Sequence, residues 1–520
     1  MEAAAGSIVG VVGAGVMGTG IAQVAALAGH EVRLWNHRPE RARKAVDDVG
    51  RALGRLVEKG RLDAAAGNAA RARLRAVDTL DALAGAGIVI ESVVEDLDAK
   101  RAVFGALEAV VDAGCMLATN TSSLSVTAIG AGLARPERLV GLHFFNPAPL
   151  MPLVEVVRGL ATDPAVADAA YALVAAWGKQ PVRAASTPGF IVNRVARPFY
   201  GEALRLLTEG AGDVATLDAV LRDCGGFRMG PFELMDLVGT DINLAVTQAV
   251  FDGYFNDPRY APAIVQREMV AAGFLGRKSG RGYYRYGDGA PPAAPHTEPP
   301  QPAPAIVHVA HAPDPLHAQL RARLQAAGVE CVASGLQAGL SSGGGFGVDG
   351  VRVMLTDGRS ATRRAADDRY PDLVVFDLLH DAANAPRIAL ARADQCADGP
   401  WHAAVGLFQA AGFAVTRLDD VPGMAVMRTV AMLANEAADA VNQGVCSAAA
   451  VDAAMRLGVN YPRGPLAWAE TVGLAHVHAV LANLAATYGA DRYRISPLLR
   501  RRLAAAGQGA RFHTTQGELA

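Results

Sequence analysis

An imidazole and a carboxylate held side by side can move a proton, and the sequence offers one such pair. His143 stands near the end of the apolar run 139–145, LVGLHFF, and Glu155 lies in the next one, 153–157, LVEVV. Both runs read as strands. A single buried histidine is usually structural; a histidine and a glutamate at the same end of successive strands can do more. The carboxylate steadies one ring nitrogen and leaves the other to take a proton from an alcohol. Ser122 and Asn146 stand where they could hydrogen-bond the substrate oxygen. Oxidation of a secondary alcohol needs this set together with a hydride acceptor.

A site for the acceptor is written in residues 7–18, SIVGVVGAGVMG. A short apolar strand enters Gly13-Ala14-Gly15-Val16-Met17-Gly18, and an apolar helical pattern follows through Ile21, Val24, Ala25 and Ala28. In that context the G-x-G-x-x-G predicts a dinucleotide site. Gly13 permits the tight turn, Gly15 lets backbone approach a pyrophosphate, and Gly18 lets the helix pack on the strand. Val16 and Met17 open the helix, whose free N–H groups face the phosphates. A second strand, 31–35, ends at Asn36, where the adenosine ribose is read; an acid there would repel a 2′-phosphate. Asn36 is neutral and Arg38 follows, so NAD and NADP both stay open.

The elements that carry these residues can be placed coarsely. Residues 39–75, rich in Ala, Arg, Lys and Glu, predict two helices; Lys59 belongs either to a solvated face or to a contact with an anionic substrate tail. Further strands are expected at 87–94, ending in Glu91 and Glu95 with Lys100 on the helix beyond, and at 115–119, leading into Asn120-Thr121-Ser122-Ser123. Strands alternating with helices predict an α/β fold with a Rossmann-type, doubly wound parallel sheet. Ligands sit at the carboxyl ends of such strands, which is where these polar residues fall.

Composition narrows the function classes. The 520 residues allow about three domains at ~150 residues each. A hydrophobic content of 51% and a charged content of 19% favour a large core. The net charge of −2, with no basic block, argues against nucleic acid as a partner. Cys115, Cys224, Cys331, Cys396 and Cys446 form no C-x-x-C and read as reduced thiols of a cytoplasmic protein. Neither a membrane span nor a signal peptide is expected, and no metal.

Seven segments occur in order: GVVGAGVMGTGIAQVAALAGH, ESVVEDLDAK, NTSSLSVT, GLHFFNPAPLMPLVEVV, TPGFIVNRVARPFYGEALRLL, FRMGPFELMDLVGTD and KSGRGYYRY. Over about residues 7–286 the chain resembles the 3-hydroxyacyl-CoA dehydrogenase family. The resemblance implies that His143 is the catalytic base, Glu155 its partner, and that Ser122 and Asn193 contact the 3-oxygen and thioester region of the substrate. It places Glu95, Lys100 and Asn120 near the nicotinamide half of the cofactor, with Ser122 and Asn146 close by. It implies an acyl-CoA substrate, a dimer, and NAD; family members usually carry Asp at the position of Asn36. Bacterial members with a duplicated C-terminal half act on 3-hydroxybutyryl-CoA or on the 3-hydroxyadipyl-CoA of phenylacetate breakdown.

The expected domains are a nucleotide-binding domain at 1–187, an all-helical substrate and dimerisation domain at 188–288 and a proline-rich linker at 289–305. A degenerate α/β segment at 306–420, a repeated helical domain at 421–507 and a disordered tail at 508–520 follow. The repeat is direct: VPGMAVMRTVAMLANEAADAVNQG at 421 aligns without gaps on TPGFIVNRVARPFYGEALRLLTEG at 187. Asn193 aligns with Met427, so the second copy reads as structural, an internal imitation of the dimer contact. The segment 306–420 reads as a nucleotide-fold remnant without cofactor or, less simply, as holding a second ligand site on the 343–345 glycine loop. Two other functions remain open: a nicotinamide-binding sensor without turnover, and a dehydrogenase of small 3-hydroxy acids. The latter would use a lysine, and Lys179, placed before a helix without an evident partner, does not fit.

Overall fold

The structure, a computed structural model, describes residues 7–287, 289, 293–310, 314–333, 344–505 and 511–513. Ser341, Ser342 and Gly343, the start of the linker (288 and 290–292) and tail residues 508–510 and 514–520 lie outside the described residues. The chain forms two units: residues 1–194 with 443–459, and residues 195–442 with 460–520.

The first unit is built on eight strands: β1 (Ile8–Val12), β2 (Glu31–Trp35), β3 (Leu74–Val77), β4 (Ile88–Glu91), β5 (Met116–Thr119), β6 (Leu139–Phe144), β7 (Leu153–Arg158) and β8 (Gln180–Ala185). Their order is β3-β2-β1-β4-β5-β6-β7-β8. Val9, Val11, Ile88, Ile90, Leu142 and Val154 on one face and Val12, Val89, Leu117, Leu153 and Val157 on the other are all fully buried, so both faces of the sheet are covered. Helices Pro39–Glu58 and Ala64–Ala72 occupy the stretch 39–75.

The expectation of a wholly parallel sheet is corrected at one place: β6 and β7 are antiparallel, and β8 runs parallel to β7. Residues 145–152 are too few for a parallel crossover, which needs about a dozen or more residues. The reversal sets His143 directly opposite Glu155. Helix Ala448–Gly458, part of the repeated helical domain by sequence, packs on β7 and β8 in this unit. Its approach is pinned by the Ala185 N–H, which donates to the Val445 carbonyl at 2.8 Å.

The second unit holds a seven-stranded sheet: β9 (Ile306–Val309), β10 (Glu330–Ala333), β11 (Gly345–Val348), β12 (Val351–Leu355), β13 (Leu373–Phe376), β14 (Arg387–Arg392) and β15 (Ala414–Arg417), in the order β10-β9-β11-β12-β13-β14-β15. Gly345 is the first residue of β11, and a Cβ there would sit 2.3 Å from Met354 Sδ. The glycine serves close strand packing, which corrects its reading as part of a ligand loop. Within the linker, Glu298 N–H donates to the Val415 carbonyl on β15 at 2.8 Å, and Gln409 Nε2 donates to the Pro299 carbonyl at 3.0 Å. The linker thus lines the outer strand of the sheet. At the other end Phe512 is buried and its N–H donates to Glu470, so residues 511–513 are anchored rather than disordered.

The duplication reaches further back than residue 421. Strands β7 and β14 start 234 residues apart, as do helices Pro164–Ala176 and Asp398–Ala410. The antiparallel β6–β7 pair recurs as β13–β14. Phe190 and Met424, at matching positions, share a positive φ of 44° and 53°. At the positions of His143 and Glu155 the second copy carries Asp377 and Ala389. The Asp377 carboxylate accepts N–H bonds from Ala425, Val426 and Met427 at 2.7–2.9 Å. The helical parts of the two copies pack through Arg197–Thr208 and Val426–Asn442, where Arg428 Nε meets Glu202 Oε2 at 2.7 Å with both side chains fully buried.

Burial pushes the Asp377 carboxyl up to about 6, against the pull of those N–H donors. Because the folded form then holds a proton more tightly than the unfolded chain, the resulting stability is fully present below about pH 4 and lost as pH rises through about 6. The unfolding free energy of wild type minus that of Asp377→Asn is therefore expected to fall across this interval, as urea titrations at each pH would show.

Candidate active site

His143 Nδ1 lies 2.6 Å from Glu155 Oε2, and Glu155 is fully buried. The other carboxylate oxygen, Oε1, accepts the N–H groups of Ile191 and Val192 at 3.0 and 2.9 Å. The glutamate is therefore fully engaged: one oxygen fixes the imidazole, and the other closes the turn that begins at Gly189 (φ 73°) and Phe190. With Nδ1 held, Nε2 is the ring nitrogen left for a reacting group. Phe145 and Phe190 pack on the imidazole, with ring centroids 4.4 and 6.0 Å away.

A second set of bonds shapes the turn after β5. Glu95 Oε1 accepts the Thr121 hydroxyl at 2.7 Å and the Ser122 and Ser123 N–H groups at 2.9 Å. Burial alone would raise this carboxyl, but the Thr121 bond, the Lys100 charge and the Ser122 N–H outweigh it and hold it below the usual range. Asn120 Oδ1 accepts the Phe144 N–H at 2.9 Å, which ties the turn to the strand of His143. Asn193 Nδ2 donates to the Ser122 carbonyl at 3.2 Å. Ser122, Asn193, His143 and Glu155 are thus brought into one connected group.

Three sequence expectations are modified by this geometry. Lys100 is 1% exposed, and its Nζ sits 2.7 Å from Glu91 and 3.4 Å from Glu95. Its link to the 121–123 turn runs through Glu95. Lys59 is exposed at the C-terminal end of helix Pro39–Glu58, apart from the hydrogen bonds that gather around His143. Lys179 precedes β8, not a helix, and donates to the carbonyls of Ala148 and Met151 at 2.6 and 2.9 Å. It is a buried tie, which removes it as a catalytic lysine. Asn146 is exposed just beyond β6.

The glycine turn fits a dinucleotide. A Cβ on Gly13 would lie 2.3 Å from the Ser92 carbonyl oxygen, and one on Gly18 would lie 2.0 Å from the Gly13 oxygen. Around Gly15, by contrast, the space is open, with no atom within 4 Å of a Cβ position. Helix Val16–Leu27 starts there without a side-chain cap or an acidic first turn, so its N–H groups are available to an anion. Val16 is 76% exposed and Met17 half-buried beside this opening. At the end of β2, Asn36 Oδ1 accepts the Arg38 N–H at 3.0 Å. No carboxylate stands at this position.

Several site residues were not singled out from sequence. Thr121 and Ser123 grip Glu95 across 26 and 28 positions, and Thr119 donates to Glu91 at 2.7 Å. Their only sequence signal was a cluster of short polar side chains at a strand end.

Comparison with known proteins then places the whole chain. The family model "3-hydroxyacyl-CoA dehydrogenase, NAD binding domain" matches residues 8–187, and "3-hydroxyacyl-CoA dehydrogenase, C-terminal domain" matches 189–286 and again 423–512. A "3-hydroxybutyryl-CoA dehydrogenase reduced Rossmann-fold domain" matches 353–422. The 3-hydroxyadipyl-CoA dehydrogenase of Escherichia coli K12 is 42% identical over 498 residues, 95% of this chain and 97% of its own. The 3-hydroxybutyryl-CoA dehydrogenase of Bradyrhizobium diazoefficiens is 42% identical over 54% of this chain and 94% of its own. Among solved structures, that of 3-hydroxybutyryl-CoA dehydrogenase from E. coli K12 MG1655 superposes with a TM-score of 0.87 at 40% identity, covering 97% of this chain and 99% of that one.

Glu95→Ala would strip the acceptor from the 121–123 turn. It is expected to raise KM for the acyl-CoA by about tenfold, equivalent to ~1.4 kcal/mol, in steady-state assays at saturating cofactor.

Proposed function

The chain belongs to the 3-hydroxyacyl-CoA dehydrogenase family and interconverts 3-hydroxyacyl-CoA and 3-oxoacyl-CoA with a nicotinamide cofactor, and we propose that His143 is its acid–base group and NAD its preferred cofactor. The observation that carries this reading is the bond from His143 to a glutamate whose remaining oxygen is taken up by backbone. The imidazole is held with its Nδ1–H toward Glu155, so Nε2 accepts the proton of the substrate hydroxyl. The positive charge that then forms on the ring faces the buried carboxylate. Ser122 and Asn193 orient the 3-oxygen, and the packed rings of Phe145 and Phe190 exclude water from the base. The 13–18 turn and the start of helix Val16–Leu27 would hold the pyrophosphate. When bound, the cofactor supplies the hydride acceptor for C3.

The related proteins are named for adipyl and butyryl thioesters, so both acyl types belong in the test. With acetoacetyl-CoA or 3-oxoadipyl-CoA and NADH, His143→Ala is expected to lower kcat by about 10³-fold, within the range of general acid–base catalysis. Nicotinamide absorbance reports the rate. Retention of the wild-type rate would sink the assignment; turnover of neither thioester by wild type would revive the sensor reading.

The cofactor preference rests on weaker discrimination than a carboxylate would give. Because Asn36 does not repel a 2′-phosphate, wild type is expected to accept NADPH measurably. Asn36→Asp should raise the NADH-over-NADPH ratio of kcat/KM by about tenfold or more, a difference of ~1.4 kcal/mol.

A further inference from the structure

Helix Ala448–Gly458 comes from the repeated domain, yet it packs in the unit that carries His143. At its last residue, Gly458, there is little room for a side chain. A Cβ there would lie 2.7 Å from Leu153 Cδ2, 3.2 Å from Val192 Cγ2 and 3.6 Å from Phe145 Cε1. Each of these residues is tied to the acid–base pair. Leu153 lies on β7 two positions before Glu155. Val192 gives its N–H to Glu155 Oε1, and the Phe145 ring packs on the His143 imidazole. At the near end of the same segment, Cys446 is held as a neutral thiol, pushed up to about 12 by burial and by the Glu155 charge. It is no nucleophile; it is packing close to the carboxylate.

The matching position in the first copy makes the contrast. It is Cys224, which faces the second sheet: its carbonyl accepts the His380 N–H at 2.8 Å, and its thiol donates to the Arg387 carbonyl at 3.3 Å. Arg387 there stands where Leu153 stands in the first sheet, and that sheet has Asp377 and Ala389 in place of the pair. Bare backbone occurs at this position only against the sheet that holds a histidine and a glutamate.

We propose that Gly458 is a positioning residue for the reaction: by offering no side chain, the helix from the second copy lets Phe145 and Val192 close on His143 and Glu155. The proposal rests on His143 and Glu155 being the acid–base pair. Leu153 Cδ2 is a flexible end that can yield to one methyl group but not to a branched side chain against Val192 and Phe145 as well.

The test uses the full chain. Gly458→Ala is expected to lower kcat about threefold and Gly458→Val about 10- to 100-fold, as an ~1 Å displacement of reacting groups does. KM for cofactor and thioester should stay within about twofold, because none of the atoms nearest Gly458 belongs to Ser122, Asn193 or the 13–18 turn. The isotope effect with 4-deuterated NADH should rise as chemistry becomes rate-limiting. Leu153→Ala, added to Gly458→Val, should restore at least about tenfold of the lost kcat by making room. A wild-type kcat in Gly458→Val overturns the proposal, and so does a loss that Leu153→Ala leaves unrelieved. If Gly458→Val does not fold, Gly458→Ala decides: a fall in kcat at constant KM supports the proposal, and an unchanged kcat overturns it. His143→Ala in the same assay separates the two levels. Its retention of wild-type rate would fail the acid–base reading, whereas its loss beside an unaffected Gly458→Val fails only the role of Gly458.

Discussion

Two backbone N–H groups behind the turn at Gly189 need an acceptor where no water reaches, and the rest of the site follows from how that need is met. In the first unit the acceptor is Glu155, which reaches from β7. Its second oxygen then points across the strand pair and finds the position of His143. In the second unit the matching N–H groups are satisfied by Asp377, which stands in the place of the histidine itself. An unpaired buried donor is costly, so both copies keep a carboxylate. Only the copy that brings it from the opposite strand leaves room for an imidazole.

This constraint explains what the antiparallel step in the sheet achieves. Were β7 parallel to β6, Glu155 would not oppose His143 in register. The short 145–152 connection forces the reversal, and the reversal supplies the pair. Around it, Glu95 gathers the 121–123 turn and Asn120 clamps that turn to β6, so the groups facing the substrate are fixed by backbone bonds rather than by side chains alone.

The legible part of this protein was the part in which residue type is tied to backbone need. The glycines at 13, 15 and 18 announced a strand–turn–helix, and the structure gives two of them steric reasons and the third an open cradle. The repeat was readable from residue 187 onward because helices carry a long apolar period. Its earlier half is hidden in the sequence, since β13 and β14 are short apolar runs that resemble any buried strand, and the residues that would mark them, histidine and glutamate, are exchanged for Asp377 and Ala389. The direction of β7 was also hidden, because apolar runs look alike whichever way they point. So was the placement of helix Ala448–Gly458, whose sequence shows a buried face but not which sheet buries it.

The route of the chain between the units has one more implication. It leaves the second unit after Asn442, spends residues 443–459 against the first sheet, and returns at Asn460. A protease that severed the exposed linker would therefore not free the catalytic unit, because part of that unit's own packing is encoded beyond the cut. Losing the later half of the chain would uncover β7 and β8, the strands beside the base, where helix Ala448–Gly458 packs.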